Sequence, residues 1–197
     1  VSLEMSLVGS AQMLDAYNGA LPASKDIASR DEILNLYKFK TGRYTMALPL
    51  EAGLILGGAP DEILEQARGL GEILGVMFQV KDDEMGLFGS EKEIGKPVGS
   101  DIREGKKTIY YEALLRLASK NDRTRLVSLF GRQDINASDI DYVRDLVTGL
   151  GIRDEIRHEV EEMLDKAQKK LEAINFKNKE AIRMLEKLVE YSAKRTS

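Results

Sequence analysis

The chain has 197 residues, of which 43% are hydrophobic and 31% charged, and it carries a net charge of −4. These values predict one soluble domain over residues 1–197 and argue against nucleic acid or an anionic membrane surface as partner. The absence of cysteine excludes disulfides and is typical of a cytoplasmic protein, and no apolar run is long enough for stable membrane insertion.

The first half of the chain predicts helices separated by clear breaks. One helix is predicted over residues 2–17, and it is expected to end at Asn18-Gly19. Ser29 and Glu32 form a capping-box pattern for a second helix, which is predicted to run to about residue 41. No segment alternates in the manner of a strand.

A proline and a glycine pair divide the next apolar stretch. Pro49 lies inside the run Tyr44–Leu56 and is expected to kink it. Gly57–Pro60 predicts a stop, followed by a long helix from about residue 61. The apolar face of that helix is predicted to consist of Ile63, Leu64, Ala67, Leu70, Leu74, Met77 and Phe78.

The second half predicts a loop over residues 87–107 and then further helices, with a capping pattern at Ser138 and Asp141. Their expected ranges are about 108–119, 122–132, 138–149, 151–174 and 176–194. The fold class is therefore predicted to be all-α, as an antiparallel helical bundle. Because Val1 opens within a helical pattern, helices are expected to precede it.

Two adjacent carboxylates, Asp82 and Asp83, end the apolar helical run, and Gln79 precedes them on the same side. Neighbouring carboxylates repel each other and need a cation or a proton near a core. Oxygen ligands without histidine or cysteine favour a hard cation such as Mg²⁺. The alternative for an Asp-Asp pair taken alone is a solvated acidic helix end.

The loop after these carboxylates carries glycines and lysines. It is not a phosphate-binding P-loop, because Pro97 follows Gly95-Lys96 and no strand precedes it; Gly69–Gly71 likewise lacks the context of a dinucleotide fingerprint. Lys96 and Lys106 are candidate phosphate ligands, since an ammonium group is a compact charge with three donors. Taken alone, such loop lysines are more often simply solvated.

Lys40 interrupts an apolar helical face that also contains Leu36, Tyr37 and Tyr44. A lysine directed toward a core needs an anion or must lose its proton. Alternatively, its long side chain reaches back to solvent.

The segment from Phe78-Gln79 through Gly95–Thr108 closely resembles the second aspartate-rich region of trans-isoprenyl diphosphate synthases. Lys40-Thr41 resembles the Lys-Thr motif of that family, and Gln12–Asp15 resembles its Gln-x-x-Asp element. The resemblance covers the whole chain as the C-terminal portion of a short-chain synthase, most like a geranylgeranyl diphosphate synthase. It implies a helical bundle of the isoprenoid synthase type, with the N-terminal helices missing.

The resemblance also implies a reaction, in which Mg²⁺ assists the condensation of isopentenyl diphosphate with an allylic diphosphate by a homodimeric enzyme. Asp82 and Asp83 would bind the metal, and Asp101 would hold the loop or assist the metal site. Lys40, Thr41 and Gln79 would be catalytic. The residues that would bind substrate are Gln12, Lys40, Thr41, Phe78, Gln79, Lys96 and Lys106.

Departures from the family pattern limit what the chain is expected to do. Gly86 stands where the pattern usually has a third aspartate. The first aspartate-rich motif and the element that binds isopentenyl diphosphate are absent from these residues. The chain alone is therefore expected to bind Mg²⁺-diphosphate poorly and to be inactive, and the number of metal ions and the product length stay open.

Two other functions remain as alternatives. The first is a non-catalytic regulatory subunit of a heteromeric prenyl synthase. The second is a terpene cyclase, although Lys40-Thr41 and Gly95–Thr108 argue against it. His158 is predicted to be an ordinary surface residue, and Lys194-Arg195 a solvated terminus.

Overall fold

The computed structural model describes residues 1–22, 28–89, 97–174, 176 and 178–195. These residues form helices and no strand, which confirms the all-α prediction. In chain order the elements are α1 (Ser2–Ala20), α2 (Arg30–Tyr37), the π-helix π1 (Lys38–Ala47), α3 (Leu48–Leu56), α4 (Asp61–Phe88), α5 (Ser100–Arg103), α6 (Ile109–Leu117), α7 (Lys120–Leu129), α8 (Ala137–Gly149), α9 (Ile152–Ala173) and α10 (Lys179–Lys194). None of these helices combines the length and apolar character that crossing a bilayer requires.

The chain divides into two compact units. The first comprises Val1–Gln12, Asn35–Lys81 and Glu159–Arg195, and the second comprises Met13–Leu34 and Asp82–His158. Helix α4 thus contributes to both units. The expectation of a single domain stays a prediction.

The core of the first unit lies where α4, α9 and α10 bury their apolar stripes. Its buried side chains are Leu70, Leu74, Met77, Ala167, Leu171, Ile174 and Val189. Four of the α4 positions predicted to be apolar and inward-facing, Ala67, Leu70, Leu74 and Met77, are at most 1% exposed. The spacing of three and four residues therefore identified the buried face of α4 correctly.

The core of the second unit is built around α6, which packs against α7 and α8. Tyr111 is fully buried, and its ring lies 4.4 Å from the ring of Phe130. Thr108 begins α6 by accepting a hydrogen bond from the backbone N–H of Tyr111 at 3.2 Å.

Several predicted boundaries are corrected by the structure. Helix α1 continues through Asn18-Gly19 to Ala20, because a glycine weakens a helix without ending it. The helical run that begins with α2 continues without a break through π1 and α3 to Leu56, beyond the predicted end near residue 41. Pro49 lies in the first turn of α3, directly after π1. The N-cap of α8 is Asn136, which forms a capping box with Asp139, so the predicted Ser138–Asp141 pattern is wrong.

Other predicted signals are confirmed. Ser29 and Glu32 cap α2 reciprocally, with N···O distances of 2.7 and 3.3 Å. Gly57 and Gly58 separate α3 from α4, and Gly58 has a positive φ of 69°. The predicted loop 87–107 begins later than expected, because α4 runs to Phe88, and it contains α5.

Candidate active site

In the first unit, the π-helix π1 carries Lys40 and Thr41. Its wider winding is visible at its end, where the Leu48 N–H donates to the carbonyl of Arg43, five residues earlier. Thr41 is buried and its hydroxyl donates to the side-chain carbonyl oxygen of Gln79 on α4 at 3.0 Å. Such π-segments occur frequently at functional sites. The sequence-predicted catalytic residues Thr41 and Gln79 are therefore brought together.

Two glycines of α4 explain how π1 packs so closely against α4. A Cβ at Gly75 would overlap the Cα of Gly42, and a Cβ at Gly71 would lie 2.5 Å from the Cα of Ala47. Side-chain carbons do not tolerate such contacts with backbone atoms, so any larger residue would force π1 away from α4. The missing side chains at Gly71 and Gly75 thus help to place Thr41 beside Gln79.

Ion pairs fix the outer side of π1. Arg43 donates from Nε to Glu4 at 3.0 Å and from Nη2 to the other oxygen of Glu4 at 2.5 Å. This hydrogen bond is the main cause of the lowered pKa of the Glu4 carboxyl. Lys38 pairs with Glu72 at 2.8 Å, and Lys40 is half-buried on the same helix.

Arg195 stacks on the ring of Phe78, with its guanidinium carbon 3.9 Å from the ring centroid. The prediction of a solvated terminus is wrong for this residue, because the planar guanidinium gains both burial and a cation–π contact. The end of α10 therefore lies directly over the residue that precedes Gln79.

In the second unit, the carboxylate pair lies near the C-terminal end of α4. Asp83 is 5% exposed and Asp82 is half-buried. The next residue, Glu84, is also buried and accepts hydrogen bonds at 3.0 Å from both Arg153 and Arg157 of α9. Glu84 is thereby neutralised by two arginines. Asp82 and Asp83, the sequence-predicted metal ligands, directly precede it on α4.

An arginine caps the end of α4. Arg144 of α8 donates to the carbonyl of Leu87 at 2.6 Å and to that of Gly89 at 3.4 Å. A cation at a helix C-terminus satisfies otherwise unpaired carbonyls and interacts favourably with the helix dipole. This contact fixes the segment that carries the carboxylates.

Lys106 follows α5 and is held by acidic partners. Its ammonium group donates to Oδ1 of Asp101 at 2.6 Å and lies 3.3 Å from Glu104. Burial acts to lower the pKa of Lys106, but attraction to Asp101, the hydrogen bond to it and the charge of Glu104 together raise the pKa. Lys106 therefore stays a cation.

The neighbouring Lys107 has a different role. It is buried and donates to the backbone carbonyls of Gly105 at 3.0 Å and Leu21 at 3.3 Å, and burial lowers its pKa. Its ammonium group also lies 5.1 Å from the centre of the Tyr111 ring. Lys107 thus ties the segment after α5 to the end of α1.

The remaining predicted site residues are placed as follows. Gln12 is exposed on α1, and His158 is exposed on α9, as predicted for the histidine. Lys96 lies outside the described residues. Within the residues that the structure describes, no group of three or more histidine, cysteine or acidic side chains is arranged to hold a metal ion.

The donor set fits a particular kind of metal site. Asp82 and Asp83 offer carboxylate oxygens alone, which suits Mg²⁺. Mg²⁺ is commonly bound by one or two carboxylates together with substrate phosphates and water, so a pair without a third acidic ligand is sufficient for an ion that arrives with a diphosphate.

Comparison with known families decides the affiliation of the chain. The model of the family described as Polyprenyl synthetase matches residues 2–147. The chain belongs to the polyprenyl synthetase family. This is a family of prenyltransferases, and residues 2–147 include Lys40-Thr41, the Asp82-Asp83 pair and Lys106.

Individual polyprenyl synthetases are similar to the chain over part of their length. A geranylgeranyl diphosphate synthase of Saccharolobus solfataricus is 30% identical over 174 residues, which are 85% of this chain and 50% of the relative. A farnesyl pyrophosphate synthase of Candida albicans is 31% identical over 162 residues, covering 76% of this chain and 45% of the relative. The chain thus spans about half the length of these relatives.

A solved structure confirms the polyprenyl synthetase fold. The geranylgeranyl pyrophosphate synthase of Corynebacterium glutamicum, in complex with isoprenyl diphosphate and magnesium, superposes with a TM-score of 0.88 at 27% identity. The match covers 97% of this chain and 53% of that protein. The prediction of a helical bundle of the isoprenoid synthase type is confirmed.

Sequence reasoning missed three features of this site. The first is the close packing of π1 on Gly71 and Gly75. The four-residue spacing of these glycines could have indicated it, because such spacing typically allows two helices to approach closely. The contact of Arg195 with Phe78 had no local signal, because the two residues are far apart in sequence. The same holds for the approach of Asp101 to Gly86, which only the folded chain reveals.

Proposed function

We propose that the protein containing this chain is a Mg²⁺-dependent isoprenyl diphosphate synthase, which condenses isopentenyl diphosphate with an allylic diphosphate. The observation that carries the proposal is the adjacent carboxylate pair Asp82-Asp83, of which Asp83 is buried and Asp82 half-buried, within a match to a prenyltransferase family that spans residues 2–147. The carboxylates supply the ligands that a metal-bound diphosphate needs.

The first step of the proposed reaction is departure of diphosphate from the allylic carbon. Asp82 and Asp83 would hold Mg²⁺, which when bound neutralises charge on the leaving group. Lys40, Lys96 and Lys106 would donate hydrogen bonds to the diphosphate oxygens, where negative charge grows as the carbon–oxygen bond breaks. Such stabilisation of developing charge is usually the largest contribution to catalysis.

The carbon left behind is a delocalised allylic cation. The carbonyl oxygen of Gln79 and the hydroxyl oxygen of Thr41 would direct the negative ends of their dipoles toward it, and Phe78 and Gln12 would line the substrate cavity. The double bond of isopentenyl diphosphate then attacks the cation, and a proton is lost to the released diphosphate. This sequence requires no protein general base, in keeping with the exposed position of His158.

We propose a geranylgeranyl-type product, because the Saccharolobus solfataricus relative is a geranylgeranyl diphosphate synthase. Farnesyl and geranylfarnesyl synthases are also among the similar proteins, so the product length must be measured. We further propose a cytoplasmic homodimer, which light scattering and cell fractionation would test.

The test is a prenyl-transfer assay with labelled isopentenyl diphosphate, an allylic diphosphate and the protein expressed from the complete gene. Label should appear in a longer prenyl diphosphate with Mg²⁺ and not after chelation with EDTA, and residues 1–197 alone should be inactive. Asp82→Asn should lower the rate by at least tenfold, because it removes a charged metal ligand. Asp154→Asn, at an exposed position of α9, is the matched control and should be neutral.

The opposite outcome is equally clear. An Mg²⁺-saturated protein from the complete gene that incorporates no label would contradict the proposal. Activity that appears only after addition of a second synthase subunit would favour the regulatory-subunit alternative. Release of diphosphate without incorporation of isopentenyl units would indicate a cyclase.

A further inference from the structure

Gly86 of α4 leaves a space that an acidic side chain from elsewhere in the second unit fills. A Cβ at Gly86 would lie 2.5 Å from Oδ2 of Asp101 and 3.3 Å from its Cγ. Carbon and oxygen atoms do not approach so closely without a shift of one partner. The Asp101 carboxylate therefore occupies the volume that a side chain at position 86 would take.

The same carboxylate also holds Lys106. Oδ1 of Asp101 accepts the hydrogen bond from the Lys106 ammonium group at 2.6 Å, and the side chain of Asp101 is 19% exposed. The second acidic neighbour, Glu104, is farther away at 3.3 Å and 56% exposed, so it contributes less. One oxygen of Asp101 thus rests against α4 while the other fixes Lys106.

Asp101 has little freedom to move aside, because the backbone around it is anchored. Arg103 donates to the carbonyl of Val98 at 2.5 Å and to that of Ile135 at 3.2 Å, and Ile102 is buried. On its inner side Asp101 borders a cavity of only about 20 Å³. That volume is sufficient for about one water molecule, so the Asp101 carboxylate cannot move into it.

We propose that Gly86 is a positioning residue. Its lack of a side chain leaves the space that the Asp101 carboxylate occupies, and Asp101 in turn fixes the position of the Lys106 ammonium group. The proposal rests on the proposed function, because that function assigns Lys106 to the diphosphate. It has an unexpected consequence. An aspartate at position 86, although it restores the usual aspartate-rich pattern of the family, expels Asp101 and releases Lys106.

A double-mutant cycle of Tm values, measured on the protein expressed from the complete gene, tests directly whether Asp101 occupies the space at Gly86. Gly86→Ala should lower Tm by about 3–6 °C through the clash with Asp101. In an Asp101→Ala background, Gly86→Ala should instead raise Tm by about 2–3 °C, because alanine is favoured over glycine in a helix. Gly53→Ala in α3, where a Cβ meets no atom within 4 Å, is the matched control and should raise Tm in both backgrounds.

Calorimetric titration with inorganic pyrophosphate and Mg²⁺ tests the link to Lys106. Gly86→Asp should weaken binding about tenfold, the cost of misplacing one charge-assisted contact. Adding Asp101→Ala to Gly86→Asp should recover most of the affinity, because the carboxylate is then supplied from α4. Binding by Gly86→Asp as tight as that of the unsubstituted protein overturns the proposal.

The two possible failures are distinct. If Gly86→Ala changes Tm in the same direction in the unsubstituted protein and in Asp101→Ala, the proposal that Asp101 occupies the space at Gly86 is overturned. If the unsubstituted protein binds no Mg²⁺-pyrophosphate, the role of Lys106 and the proposed function fail, and the sign of the thermal cycle still decides whether Gly86 seats Asp101.

Discussion

The hydroxyl of Thr41 donates a 3.0 Å hydrogen bond to the side-chain carbonyl oxygen of Gln79. This bond fixes which end of the Gln79 amide points toward π1. An oriented carbonyl dipole in a poorly solvated place stabilises positive charge without reorganising during the reaction. The pair is therefore suited to the allylic cation of the proposed mechanism.

Removal of the Thr41 hydroxyl should lower turnover more than substrate affinity. Thr41→Val keeps the shape of the side chain but removes the hydroxyl that donates to the Gln79 carbonyl, so kcat should fall by about tenfold, equivalent to about 1.4 kcal/mol. KM for the allylic diphosphate should change little, and Thr41→Ser should retain most of the rate. Steady-state kinetics check this, with Thr45→Val, an exposed position of π1, as the matched control.

A side chain at Gly75 should disrupt the contact between α4 and π1. Because a Cβ there overlaps the backbone of Gly42, Gly75→Ala should lower the free energy of unfolding by about 1–3 kcal/mol. Urea denaturation measures the loss. The control Gly53→Ala, which meets no atom within 4 Å, should instead raise the free energy of unfolding by about 0.5–1 kcal/mol. Equal effects of the two substitutions would show that the close approach is not needed.

The ion pair between Glu4 and Arg43 should make stability depend on pH. The hydrogen bond from Arg43 lowers the pKa of Glu4 below its usual value of 4.5, so the folded state binds its proton less readily than the unfolded chain. The stabilisation is therefore complete at neutral pH and is lost as the pH falls below 4.5 through the lower pKa of the folded state.

Glu4→Gln tests this dependence. It should lower the free energy of unfolding at pH 7 by about 1–2 kcal/mol, because Arg43 loses a charged partner, and by less at pH 3. Glu62→Gln, at an exposed position in the first turn of α4, provides the comparison. A loss that is the same at both pH values would contradict the assigned role of the Glu4 charge.

Tyr110 should tolerate the loss of its hydroxyl. Among the described residues this buried oxygen has no hydrogen-bond partner, and burial, with the charges of Glu84 and Asp83, raises its pKa. Tyr110→Phe should leave the free energy of unfolding unchanged or raise it by up to about 1 kcal/mol. Tyr142→Phe breaks a 2.8 Å hydrogen bond to Asp122 and should cost about 1 kcal/mol, so urea denaturation of both variants gives a direct comparison.

The sequence predicted the helices well, because their apolar spacing reports burial directly. It placed Leu70, Leu74 and Met77 on the buried face of α4, and it paired Ser29 with Glu32 at the start of α2. It did not predict the π-helix, because helical propensity and periodicity do not distinguish winding by one additional residue per turn.

The candidate site was predicted in composition but not in its internal contacts. The resemblance indicated Thr41, Gln79 and Lys106 as single residues, whereas the bond from Thr41 to Gln79 joins positions 38 residues apart in the chain. Asp101 was expected to hold the loop or to assist the metal site, and in the structure it accepts a hydrogen bond from Lys106. Its approach to Gly86 depends on tertiary packing, which no local pattern encodes.

The most direct test of the metal-diphosphate site is anomalous diffraction from crystals of the protein expressed from the complete gene, soaked with Mn²⁺ and inorganic pyrophosphate. We expect an anomalous peak about 2.2 Å from a carboxylate oxygen of Asp82 or Asp83, with a pyrophosphate oxygen on the metal and another within hydrogen-bonding reach of Lys106. Mn²⁺ and pyrophosphate that bind together elsewhere, with both carboxylates free of metal, would contradict it.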